Sequence, residues 1–469
     1  MSNKYVNLIK DTLIFAIGTV GSKLILFILV PLYTNVLTPD EYGIADLVFT
    51  LSQLILPFLC LGIYQAVIRF GLSKSENADK VLLCGLVVAG LGTLAAIFIT
   101  PLIGLYKSIS EWKWYLCVYL ILHMYLCVFQ NYAKAVGKNK TYAIVNITYT
   151  LILALLNILF LVWGKMGVRG YLLANILATL TVVVIYAFVC RLFTLKRRAR
   201  FDLRLLKQML KYSLPLMIDG TLWWLIQSSN KLFVDLFLDS EILGFYTVAV
   251  KIPALMYVVV TIFSQAWGIS TVKETETSND HEFYDNVFKI YSFSTFFVCI
   301  ILVSIIKPFM SIYVSSEYFV AWKYVPLLLI GNAFLAISDF FGVFYNALKI
   351  PIKNLAVSAV AATVSVLISI TTIRYIGLWS AVFSTFFAYF VIMWIRLIDI
   401  KKHISVSINW TVFLTNQFIL ITHAILVSLN FHVLTSSIIA IALFVLINFK
   451  LLKSLLGKIK GRKYGKRNV

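Results

Sequence analysis

From Val81 to Leu105 the chain runs without a charged side chain, and runs of this kind recur from one end of it to the other. A continuous apolar stretch of about 20 residues is what an α-helix needs to cross a bilayer. Within lipid, only helices and closed barrels satisfy their own backbone groups. Barrel strands would alternate polar and apolar residues over about ten positions, and these uninterrupted runs do not. The fold class is therefore all-α and polytopic. Composition agrees: 61% of the 469 residues are hydrophobic, 13% are charged, and the mean hydropathy is +0.91.

The length accommodates about 14 transmembrane helices with short turns. Spans are expected near Thr12–Tyr33, Tyr42–Ile68, Val81–Leu105, Trp114–Gln130, Tyr142–Trp163, Gly170–Cys190 and Ser213–Leu238. A second set is expected near Gly244–Val272, Phe288–Ile306, Tyr324–Tyr345, Leu355–Arg374, Trp379–Arg396, Trp410–Asn430 and Val433–Phe449. The first span is long and contains Lys23, and no small-residue cleavage site follows it, so it does not read as a removable signal.

A formal charge of +21 suggests nucleic acid only until its distribution is read. With the N-terminus inside, 31 of the 41 Lys and Arg fall in inner segments and 7 in outer loops, and Lys23, Lys231 and Lys251 lie within spans. This asymmetry is the positive-inside rule, which places both termini in the cytoplasm. Nucleic acid is not an expected partner. The tail from Lys450 to Arg467 and the linker from Lys196 to Lys211 are suited to anionic headgroups. In the linker Phe201, Leu203, Leu205, Leu206, Met209 and Leu210 alternate with Arg204, Lys207 and Lys211, an amphipathic pattern expected of an interfacial helix. The six cysteines all fall in apolar spans without a CxxC and read as small core residues. The five histidines lack metal-ligand spacing.

An internal repeat orders the spans. Leu37-Thr-Pro-Asp-Glu-Tyr-Gly43 and Leu238-Asp-Ser-Glu-Ile-Leu-Gly244 each carry two acidic residues and end in glycine, at an offset of 201. Six spans separate them, and an even number preserves orientation, so two parallel six-helix repeats are expected around a central cavity. The expected boundaries are 1–195 for the first bundle, 196–212 for the linker, 213–404 for the second bundle, 405–453 for two additional helices and 454–469 for a basic cytoplasmic tail.

A charge at membrane depth costs about 2.5 to 3.5 kcal/mol on insertion scales, so the intramembrane lysines mark function. At 100° per residue, Asp46, Thr50, Gln53 and Pro57 fall within about 60° of one another. Thr12, Thr19 and Lys23 share a face of the first span, and Asp219, Trp223, Gln227, Asn230, Lys231 and Asp235 spread over a wider arc of the seventh. Such faces meet protein or a water-filled cavity. The candidate cavity cations are Lys23, Arg69, Lys231 and Lys251. The candidate polar or ion-coupling residues are Asp46, Gln53, Asp219, Asn230, Asp235 and Asp339. Lys231 and Asp235, at i and i+4, either neutralise each other or face the cavity separately.

Gly21-Ser22-Lys23, the Leu37–Gly43 turn, Ile68-Arg69-Phe70, Tyr212-Ser-Leu-Pro215, Asp235 and Leu243-Gly-Phe-Tyr246 together resemble the polysaccharide transporter, or oligosaccharide flippase, family of the MOP exporter superfamily. The resemblance covers essentially the whole chain. It implies alternating access without covalent chemistry, moving an undecaprenyl-pyrophosphate-linked oligosaccharide across the bacterial cytoplasmic membrane for capsule, O-antigen or exopolysaccharide assembly. A pyrophosphate headgroup needs cations in place of water, the role the resemblance implies for Lys23, Arg69, Lys231 and Lys251. Trp223, Trp224, Tyr246 and Tyr257 are candidates for stacking on sugars, and the last two helices for a prenyl groove. No cofactor is expected. Proton or sodium coupling would use Asp46, Asp219, Asp235 or Asp339, and no nucleotide-binding loop is present. A polysaccharide polymerase and glycosyltransferases of the same pathway are expected partners. Two other classes share these features: a MATE-like exporter of small molecules, which would favour carboxylates over lysines, and a membrane polymerase or glycosyltransferase, which would need a long catalytic outer loop.

Overall fold

The computed structural model describes residues 21–73, 76–195, 199–277, 281–348, 350–404 and 406–454. Thr12, Thr19 and the basic tail 455–469 lie outside the described residues. Among the described residues all regular structure is helical. The long helices are α1 Gly21–Val36, α2 Pro39–Leu59, α3 Ile63–Gly71, α4 Ala78–Ile103, α5 Lys113–Ala135, α6 Asn139–Trp163 and α7 Gly167–Val189. They continue with α8 Leu203–Phe237, α9 Ser240–Thr277, α10 His281–Tyr313, α11 Val325–Ala347, α12 Pro351–Ile376, α13 Trp379–Ile400, α14 Trp410–Ser428 and α15 Val433–Ile447. Eleven of the described helices are long and apolar enough to cross a membrane, and α1 and α15 are shorter apolar helices. The chain is a multi-pass membrane protein.

The repeat seen in the sequence governs helix boundaries. Helix α1 ends at Val36 and α8 at Phe237, α2 begins at Pro39 and α9 at Ser240, so the offset of 201 separates both pairs of ends. Each start has a chemical cause. Thr38 accepts from the Glu41 amide at 3.3 Å while Glu41 reaches back to the Thr38 amide at 3.1 Å, a reciprocal capping box with Pro39 at the first helical position. In the second copy the Asp239 carboxylate accepts from the Ile242 amide at 2.7 Å.

Span two departs from the expected continuous helix over Tyr42–Ile68. Pro57 supplies no N–H, and after Leu59 the backbone turns through Leu61 and Gly62, both at positive φ, before α3 resumes at Ile63. The Leu61 carbonyl freed by this break accepts from the Ser213 hydroxyl at 2.8 Å. Span seven begins earlier than expected. Helix α8 starts at Leu203, where the Asp202 side chain caps the Leu205 amide at 3.1 Å, and it runs unbroken through Pro215. The amphipathic linker is thus helical and continuous with the span from Leu203 onward. Its Leu205, Leu206 and Met209 are buried, and Arg204, Lys207 and Lys211 are exposed.

The helices form two compact units, one of residues 1–248 with 366–381 and the other of residues 249–365 with 382–469. In the second unit the core is aromatic. Trp267 stacks on Phe340 at 4.6 Å and donates its indole N–H to the Phe340 carbonyl at 3.1 Å, while Phe288 packs against Phe340, Phe341 and Phe413. Rings of this size bury large areas, and the buried indole donor finds its acceptor in the backbone. Helices α14 and α15 are tied by Asn416 and Asn448, whose buried side-chain amides hydrogen-bond each other.

Candidate functional site

In the first unit α2 lies along α8, and the polar side chains of both meet there. Lys231 Nζ sits 2.5 Å from Asp46 Oδ2, with the two side chains 13% and 8% exposed, so this ion pair is largely desolvated. One helical turn further along α2, Trp224 Nε1 donates to the Thr50 carbonyl at 3.1 Å. At the far end, Ser213 holds Leu61 as described. At the near end Gly43 and Gly244, the closing glycines of the two repeated turns, pack backbone against backbone. A Cβ on Gly43 would stand 2.4 Å from the Ser240 carbonyl oxygen, and one on Gly244 would stand 2.0 Å from that of Pro39. The sequence repeat therefore brings its two copies into direct contact through residues without side chains.

The alternative of a Lys231–Asp235 pair within α8 gives way to a pair between helices. Asp235 is instead engaged by the hydroxyls of Tyr106 and Ser240, the latter at 2.7 Å. Asp46 lies seven residues from the start of α2, about 10 Å along the axis, which sets the Lys231 pair deeper than the Gly43–Gly244 contact. Asn230, fully buried, accepts from the Ser369 hydroxyl and donates to the Ala381 carbonyl at 3.2 Å. Gln53 and Arg69 are exposed on α2 and α3, Lys23 is exposed on α1, and Asp219 is half-buried on α8.

In the second unit Lys251 is half-buried on α9. Asp339, on α11, accepts from Arg396 Nη1 at 3.1 Å and from the Tyr257 hydroxyl at 2.5 Å. The same guanidinium donates to Ser338 at 3.0 Å and to Asn354 at 2.7 Å, and Arg396 is 2% exposed. Gly342 leaves it room, since a Cβ there would come within 2.7 Å of Nη1. Nearby in sequence, Lys353 binds Asp399 at 2.9 Å and His403 at 2.9 Å. The hydroxyl of Tyr257, a candidate sugar-stacking ring, thus serves a carboxylate.

Arg396 and Tyr106 are among the residues of these networks that the sequence does not single out. Arg396 stands at the edge of its apolar run and reads as an inner-loop charge, although its guanidinium is buried against Ser338, Asp339 and Asn354. Tyr106 lies in the short connection after α4, where an isolated aromatic gives no signal of a carboxylate partner.

Solved structures share this architecture. The lipid II flippase MurJ in an inward closed conformation matches with a TM-score of 0.70 at 13% identity, over 95% of this chain and 100% of that one. A multidrug resistance MATE family transporter of the MOP superfamily, in an outward-facing conformation, matches with a TM-score of 0.61 at 16% identity, over 84% of this chain and 94% of that one. Identities this low establish the fold. The family follows from sequence: the model of the polysaccharide biosynthesis protein family matches residues 8–268, more than half of the chain, and the chain belongs to that family. A relative, the Lsg locus putative protein 1 of Haemophilus influenzae, is 22% identical over 336 residues, covering 70% of this chain and 82% of its own.

Proposed function

We propose that this protein is a flippase that carries an undecaprenyl-pyrophosphate-linked oligosaccharide across the cytoplasmic membrane for the assembly of a surface polysaccharide, without covalent chemistry. The observation that carries the reading is Lys231, a cation kept in a largely desolvated position within a membrane-spanning bundle of a polysaccharide biosynthesis family member. A buried ammonium needs an anionic partner, and the diphosphate of a lipid-linked sugar is such a partner. Lys23, Arg69 and Lys251 are its companions in this proposal, and all four cations fall inside the stretch that the family model matches.

The tail of the substrate has a counterpart in the apolar groove between α14 and α15. It has a volume of about 250 Å³ and is lined by Phe418, Ile419, Leu426, Phe431, Ile439 and Leu443 among others. Such a surface suits a prenyl chain that stays in lipid while the headgroup crosses. Both termini are assigned to the cytoplasm on the distribution of Lys and Arg. The polymerase and glycosyltransferases of the same pathway are the expected neighbours. Proton or sodium coupling through Asp46, Asp219, Asp235 or Asp339 is part of the proposal.

Export in cells tests the reading. Lys23→Ala and Lys231→Ala proteins, present at normal levels, lose polysaccharide export, and Lys23→Arg retains part of it. The rival reading, a MATE-like exporter, is favoured by a carboxylate, Asp46, at the same site. It predicts efflux of cationic dyes that Asp46→Asn abolishes and Lys23→Ala leaves intact, and that outcome would overturn the flippase assignment.

A further inference from the structure

We propose that Asp46 is the stand-in for the substrate's diphosphate: it occupies Lys231 in the unloaded protein, is displaced when the headgroup arrives, and retakes the lysine to release it. The inference rests on the flippase reading and specifies how its central cation is regulated.

The geometry separates Asp46 from Asp235, the carboxylate one turn from Lys231 on the lysine's own helix. Asp235, at i+4 from Lys231, is held by the Tyr106 and Ser240 hydroxyls, whereas Asp46 meets the ammonium from a different helix at 2.5 Å. An interhelical pair opens when α2 and α8 shift against each other, and a pair within one helix does not. Asp46 is also fixed from its own side. The Thr38–Glu41 capping box anchors the start of α2, and Trp224 grips the Thr50 carbonyl one turn beyond Asp46. The backbone that carries the carboxylate is thus held on both sides, and a shift of α2 against α8 carries the carboxylate with it.

A lysine buried without a counter-ion would hold any anion too firmly to let go, because releasing it would leave the charge unpaired. A carboxylate that competes for the same ammonium weakens binding and gives the lysine a partner after release. Asp46 is in this sense a positioning residue. It acts on the substrate through Lys231, and neutralising it strengthens binding, which simple loss of a structural contact does not do.

The test is binding by the purified full-length protein of undecaprenyl pyrophosphate in detergent micelles, with inorganic pyrophosphate as a second probe. A response to the first alone assigns the site to the lipid-borne diphosphate; a response to both assigns it to the diphosphate group itself. Asp46→Asn is expected to bind about tenfold more tightly than the parent, and Lys231→Met and the double variant are expected to lose that binding. Asp46→Ser, smaller and also neutral, is the second variant and shares the expectation should the amide disturb packing. If both neutral variants bind as the parent does or more weakly, while Lys231→Met still weakens binding, the exchange is wrong and the flippase reading stands. If neither the parent nor the neutral variants bind either probe, both fail.

Discussion

Alanine at Gly244 would set a methyl carbon 2.0 Å from the Pro39 carbonyl oxygen, where ordinary contact begins near 3.4 Å, and the opposing atom is backbone, not the flexible end of a side chain. The starts of α2 and α9 must therefore separate by more than ~1 Å. Overpacking of this order costs about 1 to 3 kcal/mol. Charged against the arrangement in which the two turns touch, that energy shifts the population of the parted arrangement by about 5- to 150-fold. Thr247, two turns into α9 and fully buried, reports the change. In a protein whose native cysteines are replaced, a cysteine at Thr247 is expected to react with a maleimide faster by that factor once Gly244→Ala is added. Gly43→Ala, with a 2.4 Å approach to the Ser240 carbonyl oxygen, should act in the same direction. Gly220→Ala, at a position with nothing within 4 Å, is the control and should leave the rate unchanged. Equal labelling rates and equal melting temperatures for parent and Gly244→Ala would refute the close contact and the reasoning drawn from it.

Two further perturbations probe the buried charges and the cap that begins α8. Removing one partner of the Arg396–Asp339 pair leaves the other buried and uncompensated, so Asp339→Leu should destabilise the protein by about 3 to 5 kcal/mol, and Arg396→Met added to it should recover most of the loss; a double-mutant cycle on thermal unfolding, giving additive losses, would contradict the pairing. Asp202 accepts the Leu205 amide and lies 3.6 Å from Lys80, and the backbone hydrogen bond foremost, helped by that lysine, holds its carboxyl below the usual 3.8. A depressed carboxyl stabilises the fold above its ordinary value and loses that contribution as pH falls through the folded value, so the melting difference between parent and Asp202→Asn should be present at neutral pH and shrink below about pH 4.

The apolar runs carried the fold class, because continuous hydrophobicity over membrane-spanning lengths leaves helices as the only solution. The turn residues carried the repeat. Thr38 with Glu41, and Asp239 in the second copy, cap helices whose starts stand at the offset read from the sequence. What periodicity misses is anything decided between helices. Lys231 and Asp235 share a helix and an i, i+4 spacing, but whether they pair depends on what α2 and the connection after α4 present to them. Those elements present Asp46 and Tyr106. Arg396 is the converse case. A charge at the edge of an apolar run looks solvated, and only the packing of α11 and α12 against α13 makes it a buried hub for Asp339, Ser338 and Asn354. The break after Leu59 was written in Pro57 and Gly62, but hydropathy alone reads across it because the residues on both sides are apolar.

The most direct test of the central claim is translocation in proteoliposomes: the purified protein reconstituted with an undecaprenyl-pyrophosphate-linked oligosaccharide, and the sugar exposed on each leaflet measured over time. The account predicts that the parent moves the lipid between leaflets and that Lys231→Met, folded and reconstituted to the same level, does so at least tenfold more slowly, the factor that a loss of about 1.4 kcal/mol of charge-assisted binding would produce. Equal rates for the two proteins, or no movement of the lipid by the parent, would contradict it.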